Sequence, residues 1–166
     1  MTATHPDDIR QRYDALRQAA RNARDSAAES AAATPVIQIG MASCGIAAGA
    51  LETKAAFEEA LAERNIAATI RTVGCIGHCY AEPSVVIHHP ESGFPPIFYA
   101  EVTPGKARML VVQFLEKYDP RFEHVLGAME ENVLVPSVWE FDRFKREKRV
   151  VTARCGKVDP ESIDDY

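Results

Sequence analysis

Residues Thr72 to Ile87 read TVGCIGHCYAEPSVVI. Thr72 and Val73 end an extended, β-branched run that begins near Ala67, Gly74 and Gly77 interrupt it, and an apolar run resumes from Ser84 to His88. Two strands separated by a loop that carries Cys75 and Cys79 are therefore predicted. Upstream of this stretch, Pro35 opens an apolar run over Val36–Ile39, followed by a Gly- and Ala-rich loop around Cys44 and a helical pattern from Leu51 to Arg64. Downstream, the turn residues Pro90, Ser92 and Gly93 lead to a further strand over Pro96–Val102. Thr103 and Pro104 then start a helix in cap-then-proline order. Its apolar residues Ala107, Leu110, Val111, Phe114, Leu115 and Tyr118 fall on one face. The order strand, helix, strand, strand, strand, helix predicts a small α/β domain over residues 34–118.

The flanks have a different texture. Residues 1–33 are rich in helix formers, with a thin apolar stripe at Ile9, Tyr13 and Leu16, and read as a helical arm. Residues 119–166 show no second periodic core and read as an extended connector expected to pack little against the domain. Within it, Trp139, Phe141 and Phe144 are expected to pack on a partner, and Asp159–Tyr166 looks like a helix beginning.

Composition narrows the function. The 166 residues are 46% hydrophobic and carry a formal net charge of -5. Phosphate binding needs a dominant basic surface, so a nucleic-acid partner is not expected, and the basic run Arg143–Arg149 (RFKREKR) reads as a linker or docking face. The chain has no stretch near the ~20 apolar residues of a membrane span and no apolar signal core at its start, so a cytoplasmic location is expected. Thiols are kept reduced there, so the four cysteines read as metal ligands, redox groups or core residues rather than disulfides.

Cys75 and Cys79 stand at C-x3-C spacing, and Cys44 occupies the equivalent loop after the first strand, so three sulfurs can converge at one end of the sheet. Soft thiolates in such a cluster suit an iron–sulfur centre. Small buried cysteines that merely fill space are the alternative. His88 and His89 lack the companion ligands that a metal site needs.

The stretches IGMASCGIAAGALET (Ile39–Thr53), TVGCIGHCYAEPSVVI (Thr72–Ile87) and RVVTARCGKVDPESIDDY (Arg149–Tyr166) resemble a known arrangement. It is the thioredoxin-like ferredoxin domain placed ahead of the NADH- and flavin-binding subunit in complex I relatives, NAD(P)-reducing hydrogenases and NAD-linked formate dehydrogenases. The resemblance implies a thioredoxin-like α/β fold and a [2Fe-2S] cluster on four cysteines, one pair at C-x4-C and one at C-x3-C. Cys44, Cys75 and Cys79 match three of these metal ligands, and the fourth position falls on Gly49, which offers no donor. Three arrangements remain open: a domain without its cluster, a cluster completed by Cys155 or His78, and a weaker three-cysteine site. The resemblance also implies that the FMN and NAD sites lie in sequence beyond Tyr166, that the chain is a piece of a larger protein, and that its partners are a flavoprotein domain and other redox subunits. The function so implied is an electron-transfer or docking module of an NADH-linked oxidoreductase such as an NADH dehydrogenase, with a cluster-free scaffold as the alternative. A thioredoxin-type thiol enzyme fits less well, because that chemistry uses C-x-x-C at a helix start.

Overall fold

The computed structural model describes residues 10–19 and 34–163. The chain divides into two units, Met1–Ala33 and Thr34–Tyr166. In the first, residues 10–19 form helix α1, exposed throughout, with Tyr13 and Leu16 open to solvent. Ile9 and the rest of the expected arm lie outside the described residues.

The second unit is built on strands β1 (Val36–Gly40), β2 (Thr69–Val73), β3 (Val85–His88), β4 (Ile97–Tyr99) and β5 (Val125–Ala128). They lie in the order β2-β1-β3-β4-β5. β1 pairs with β2 in parallel, Val36 opposite Thr69 and Gly40 opposite Val73. The remaining pairs are antiparallel, with Ile39 opposite Val85, Ile87 opposite Ile97, and Ile97 opposite Ala128. A parallel pair needs a crossover, which is supplied by α2 (Ser43–Ala47) and α3 (Ala50–Arg64). Helix α4 (Pro104–Leu110) follows the β3–β4 hairpin and continues as a wider turn over Val111–Glu116. This is a thioredoxin-like α/β fold. The Thr103 side chain accepts a hydrogen bond from the Lys106 N–H at 3.3 Å, the cap expected from the sequence.

Strand alternation sends side chains to two separate cores. Ile37, Ile39, Val85, Ile87, Ile97 and Tyr99 face α3 and α4, where Phe57, Leu61, Leu110 and Phe114 cover them. Thr53 Oγ1 donates to the Val102 carbonyl at 2.6 Å, and Arg64 meets Glu116 at 2.8 Å, tying α3 to the hairpin and to the end of α4.

The opposite face carries Val86 and Phe98, and its cover overturns one expectation. Residues beyond Asp119 do not pack loosely: they add β5 to the sheet edge, and α5 (Asp142–Lys145) and its neighbours lay Val138, Trp139, Phe141 and Phe144 over this second face. Continuous apolar strands such as Val85-Val86-Ile87 and Ile97-Phe98-Tyr99 need cover on both faces, and this segment supplies it. The chain then returns to the cysteine loop. Arg149 Nη2 donates to the Ile76 carbonyl at 2.8 Å while its guanidinium lies 5.1 Å from the Trp139 ring centroid. The Gly74 N–H donates to the Val158 carbonyl at 3.4 Å, and the Thr72 hydroxyl donates to the Asp159 carboxylate. Residues 151–163 are turns and bends rather than the start of a helix, and residues 164–166 lie outside the described residues.

Candidate metal centre

Parallel pairing sets the C-terminal ends of β1 and β2 side by side, so the loops that leave them are neighbours. The Met41 N–H donates to the Val73 carbonyl at 2.8 Å, and the Gly40 N–H donates to the Ser84 carbonyl at 2.9 Å, which pins both loop roots. Cys44 lies in the first turn of α2, Cys75 two residues beyond β2, and Cys79 at the start of a short 3-10 turn over Cys79–Ala81. The three sulfurs lie within 4.8 Å of one another, and Cys75 and Cys79 are 3.9 Å apart. Gly77, at φ +99°, turns its N–H onto Cys75 Sγ at 3.2 Å, a conformation a side chain would oppose.

Electrostatics at the cluster favour the protonated form of Cys75 and Cys44 in the metal-free protein. Burial pushes the Cys75 thiol far up, and the neighbouring Glu82 and Cys44 add to the effect. Burial likewise raises Cys44. A cation entering the cluster would displace these protons, so its affinity would rise with pH. Cys44 and Cys75 are half-buried and Cys79 is exposed, which puts the group at the protein surface.

The residues considered as a fourth ligand are placed differently. His78 is 2% exposed, and its ring lies 4.5 Å from that of Phe144 and 5.8 Å from that of Phe141, inside the second core. Burial, assisted by Arg143, holds its pKa below the usual histidine range, and neither ring nitrogen has a hydrogen-bond partner. Cys155 sits in a turn of the returning strap, half-buried. Among the described residues, neither joins the three sulfurs within 4.8 Å. Gly49 precedes α3 at φ +98°, where an added Cβ would meet only Glu52 Oε2, at 3.6 Å. His89 is buried and accepts the Glu91 N–H at 3.3 Å, a structural role.

No family model matches the chain. Among curated proteins it is similar to subunit HndB of the NADP-reducing hydrogenase of Solidesulfovibrio fructosivorans, at 30% identity over 101 residues, 60% of this chain and 78% of that protein. The chain belongs to the HndB family. Among solved structures, two of a thioredoxin-like [2Fe-2S] ferredoxin from Aquifex aeolicus are similar to this HndB-family chain. One is 18% identical with a TM-score of 0.49, over 59% of this chain and 94% of that one. The other, of the wild-type protein, is also 18% identical, with a TM-score of 0.47 over 56% and 96%.

One residue of the HndB-family site escapes sequence reasoning. Glu82, three residues past Cys79, is only 7% exposed. Its Oε2 accepts the Ser84 N–H at 2.6 Å, while its buried Oε1 has no hydrogen-bond partner. Sequence reasoning treats an isolated glutamate as solvated, and the only available hint is its place between a cysteine turn and an apolar strand. Among the described residues no helix is long and apolar enough to cross a membrane.

Proposed function

We propose that this chain is an electron-transfer module of a multisubunit, nicotinamide-linked hydrogenase assembly, with Cys44, Cys75 and Cys79 holding an iron–sulfur centre of the [2Fe-2S] type. The observation that carries the reading is the convergence of three thiols from two adjacent loops within 4.8 Å, in a chain of the HndB family. The donor set fits the group: the sulfurs are soft, and the Gly77 N–H donates to one of them, the kind of backbone bond that tunes cluster potential. When bound, such a cluster takes up and releases one electron. The chain's own residues do the positioning. The β1 and β2 termini fix the two loops, the strap from Arg149 to Asp159 braces the Cys75 loop, and the exposure of Cys79 and Tyr80 brings the centre within reach of a partner. Nicotinamide and FMN chemistry would belong to partner subunits or further sequence, and the exposed basic residues around Arg143 and Arg146 are available for docking.

The test is iron and acid-labile sulfide content of protein produced and purified without air, compared with Cys44→Ser, Cys75→Ser and Cys79→Ser. The wild type should carry close to stoichiometric iron and each variant several-fold less. Iron and sulfide absent from every sample would overturn the proposal.

A further inference from the structure

We propose that the Glu82 carboxylate is the fourth protein ligand of this centre, binding metal through Oε1 in place of a cysteine. The inference rests on the iron–sulfur reading above and goes beyond it, because that reading leaves the coordination one donor short.

A buried carboxylate is costly unless a cation or several hydrogen bonds compensate it. Glu82 is more than nine-tenths buried, receives one backbone hydrogen bond from Ser84, and has no ion-pair partner among the described residues. Beyond the Ser84 N–H and the neighbouring Cys75 thiol, nothing among the described residues compensates this carboxylate. Its position points to the cysteine cluster. A Cβ built on Gly40, at the end of β1, would lie 2.8 Å from Glu82 Oε2 and 3.0 Å from Oε1. One built on Gly45, next to Cys44, would lie 3.3 Å from Oε2. The carboxylate thus occupies the space between the β1 terminus and the first turn of α2, where small residues leave room for it. It also stands close enough to Cys75 to contribute to that thiol's raised pKa.

Two thiolates on one tetrahedral metal at ~2.3 Å stand about 3.8 Å apart. Cys75 and Cys79, at 3.9 Å, match one such pair. No carboxylate oxygen joins all three sulfurs inside 4.8 Å, so Glu82 is not a fourth vertex around one shared ion. It stands instead at the edge of the sulfur group, beside the first turn of α2 that carries Cys44. Carboxylate and thiolate carry the same charge, so the total ligand charge equals that of a four-cysteine set.

The experiment reconstitutes the full chain anaerobically with ⁵⁷Fe and sulfide and reads iron content, sulfide content and the Mössbauer spectrum for wild type, Glu82→Gln, Glu82→Cys and Cys75→Ser. Gln keeps an oxygen to accept the Ser84 N–H, so circular dichroism should be unchanged. The expected result is two inequivalent irons in the wild type, one with the larger isomer shift of an oxygen-bearing site. Glu82→Gln should lose at least fivefold in iron, while Glu82→Cys should retain iron with both sites all-sulfur in character. Two all-sulfur irons in the wild type, or a Glu82→Gln protein with full iron and an unchanged spectrum, would overturn the Glu82 assignment alone, provided Cys75→Ser loses its iron. Iron absent from wild type and Cys75→Ser alike would overturn the iron–sulfur reading and this assignment with it.

Discussion

Truncating Phe144 to alanine asks whether the segment after Asp119 belongs to the domain's stability. Phe144 is 5% exposed, its ring lies 5.0 Å from that of Trp139 and 4.5 Å from that of His78, and the Arg149 guanidinium sits 5.4 Å from its centroid. A buried phenylalanine removes about 150–200 Å² from water, which at ~25 cal/mol per Å² gives a transfer term of about 4–5 kcal/mol as an upper bound. Measured Phe→Ala losses of roughly 3–5 kcal/mol agree with that size. With a urea m-value of about 1–3 kcal/mol/M, Phe144→Ala should lower the unfolding midpoint by more than about 1 M. Val133→Ala, at a fully exposed position, is the control and should stay within about 0.5 kcal/mol of wild type. The assay is equilibrium urea unfolding followed by circular dichroism and Trp139 fluorescence, which should give coincident transitions. A loss below about 1 kcal/mol, or separate transitions for the two probes, would refute the claim that the segment forms a second core with β3 and β4.

Further predictions follow from the same geometry. Because His78 is buried and kept neutral, its contribution to stability is present above its unfolded pKa of about 6.5 and is lost as pH falls below it. His78→Phe, which replaces two unpartnered ring nitrogens, should fold at least as stably at pH 7 and show a flatter acid limb in urea midpoints of the metal-free protein. Gly156→Ala drives a Cβ into Ile76 Cγ2 at φ +78°, so it should cost about 1–3 kcal/mol in thermal unfolding and expose Arg149 to trypsin. Gly49→Cys must adopt φ +98° at a cost of about 1–2 kcal/mol, so it should lower the urea midpoint without raising iron content above wild type; a gain in iron would return the fourth ligand to that loop.

Much of the first core is readable in the sequence because each element carries a local signal. Thr103-Pro104 marks a helix start, the helical spacing from Ala107 to Leu115 marks its buried face, and two glycine-bearing loops bring Cys44 to Cys75 and Cys79. The second core escapes because Val138, Trp139, Phe141 and Phe144 sit in short 3-10 and α turns with no sustained period. The unbroken apolar runs of β3 and β4 hold the missed clue, since a sheet exposed on one face would alternate. Glu82 escapes for a different reason. Its burial follows from the long-range approach of the Gly40 and Gly45 backbone, which no local pattern encodes.

Single-electron exchange by the bound centre is the most direct consequence of the three-cysteine site. An EPR-monitored redox titration of anaerobically purified wild-type chain, set beside Cys75→Ser, measures this. An iron–sulfur centre held by these cysteines should give an S = 1/2 signal that grows with one-electron Nernst behaviour within the roughly −700 to +450 mV span of such centres, disappears on reoxidation, and is absent from Cys75→Ser. A wild-type chain that stays EPR-silent across that span, or a signal that survives loss of Cys75, would contradict it.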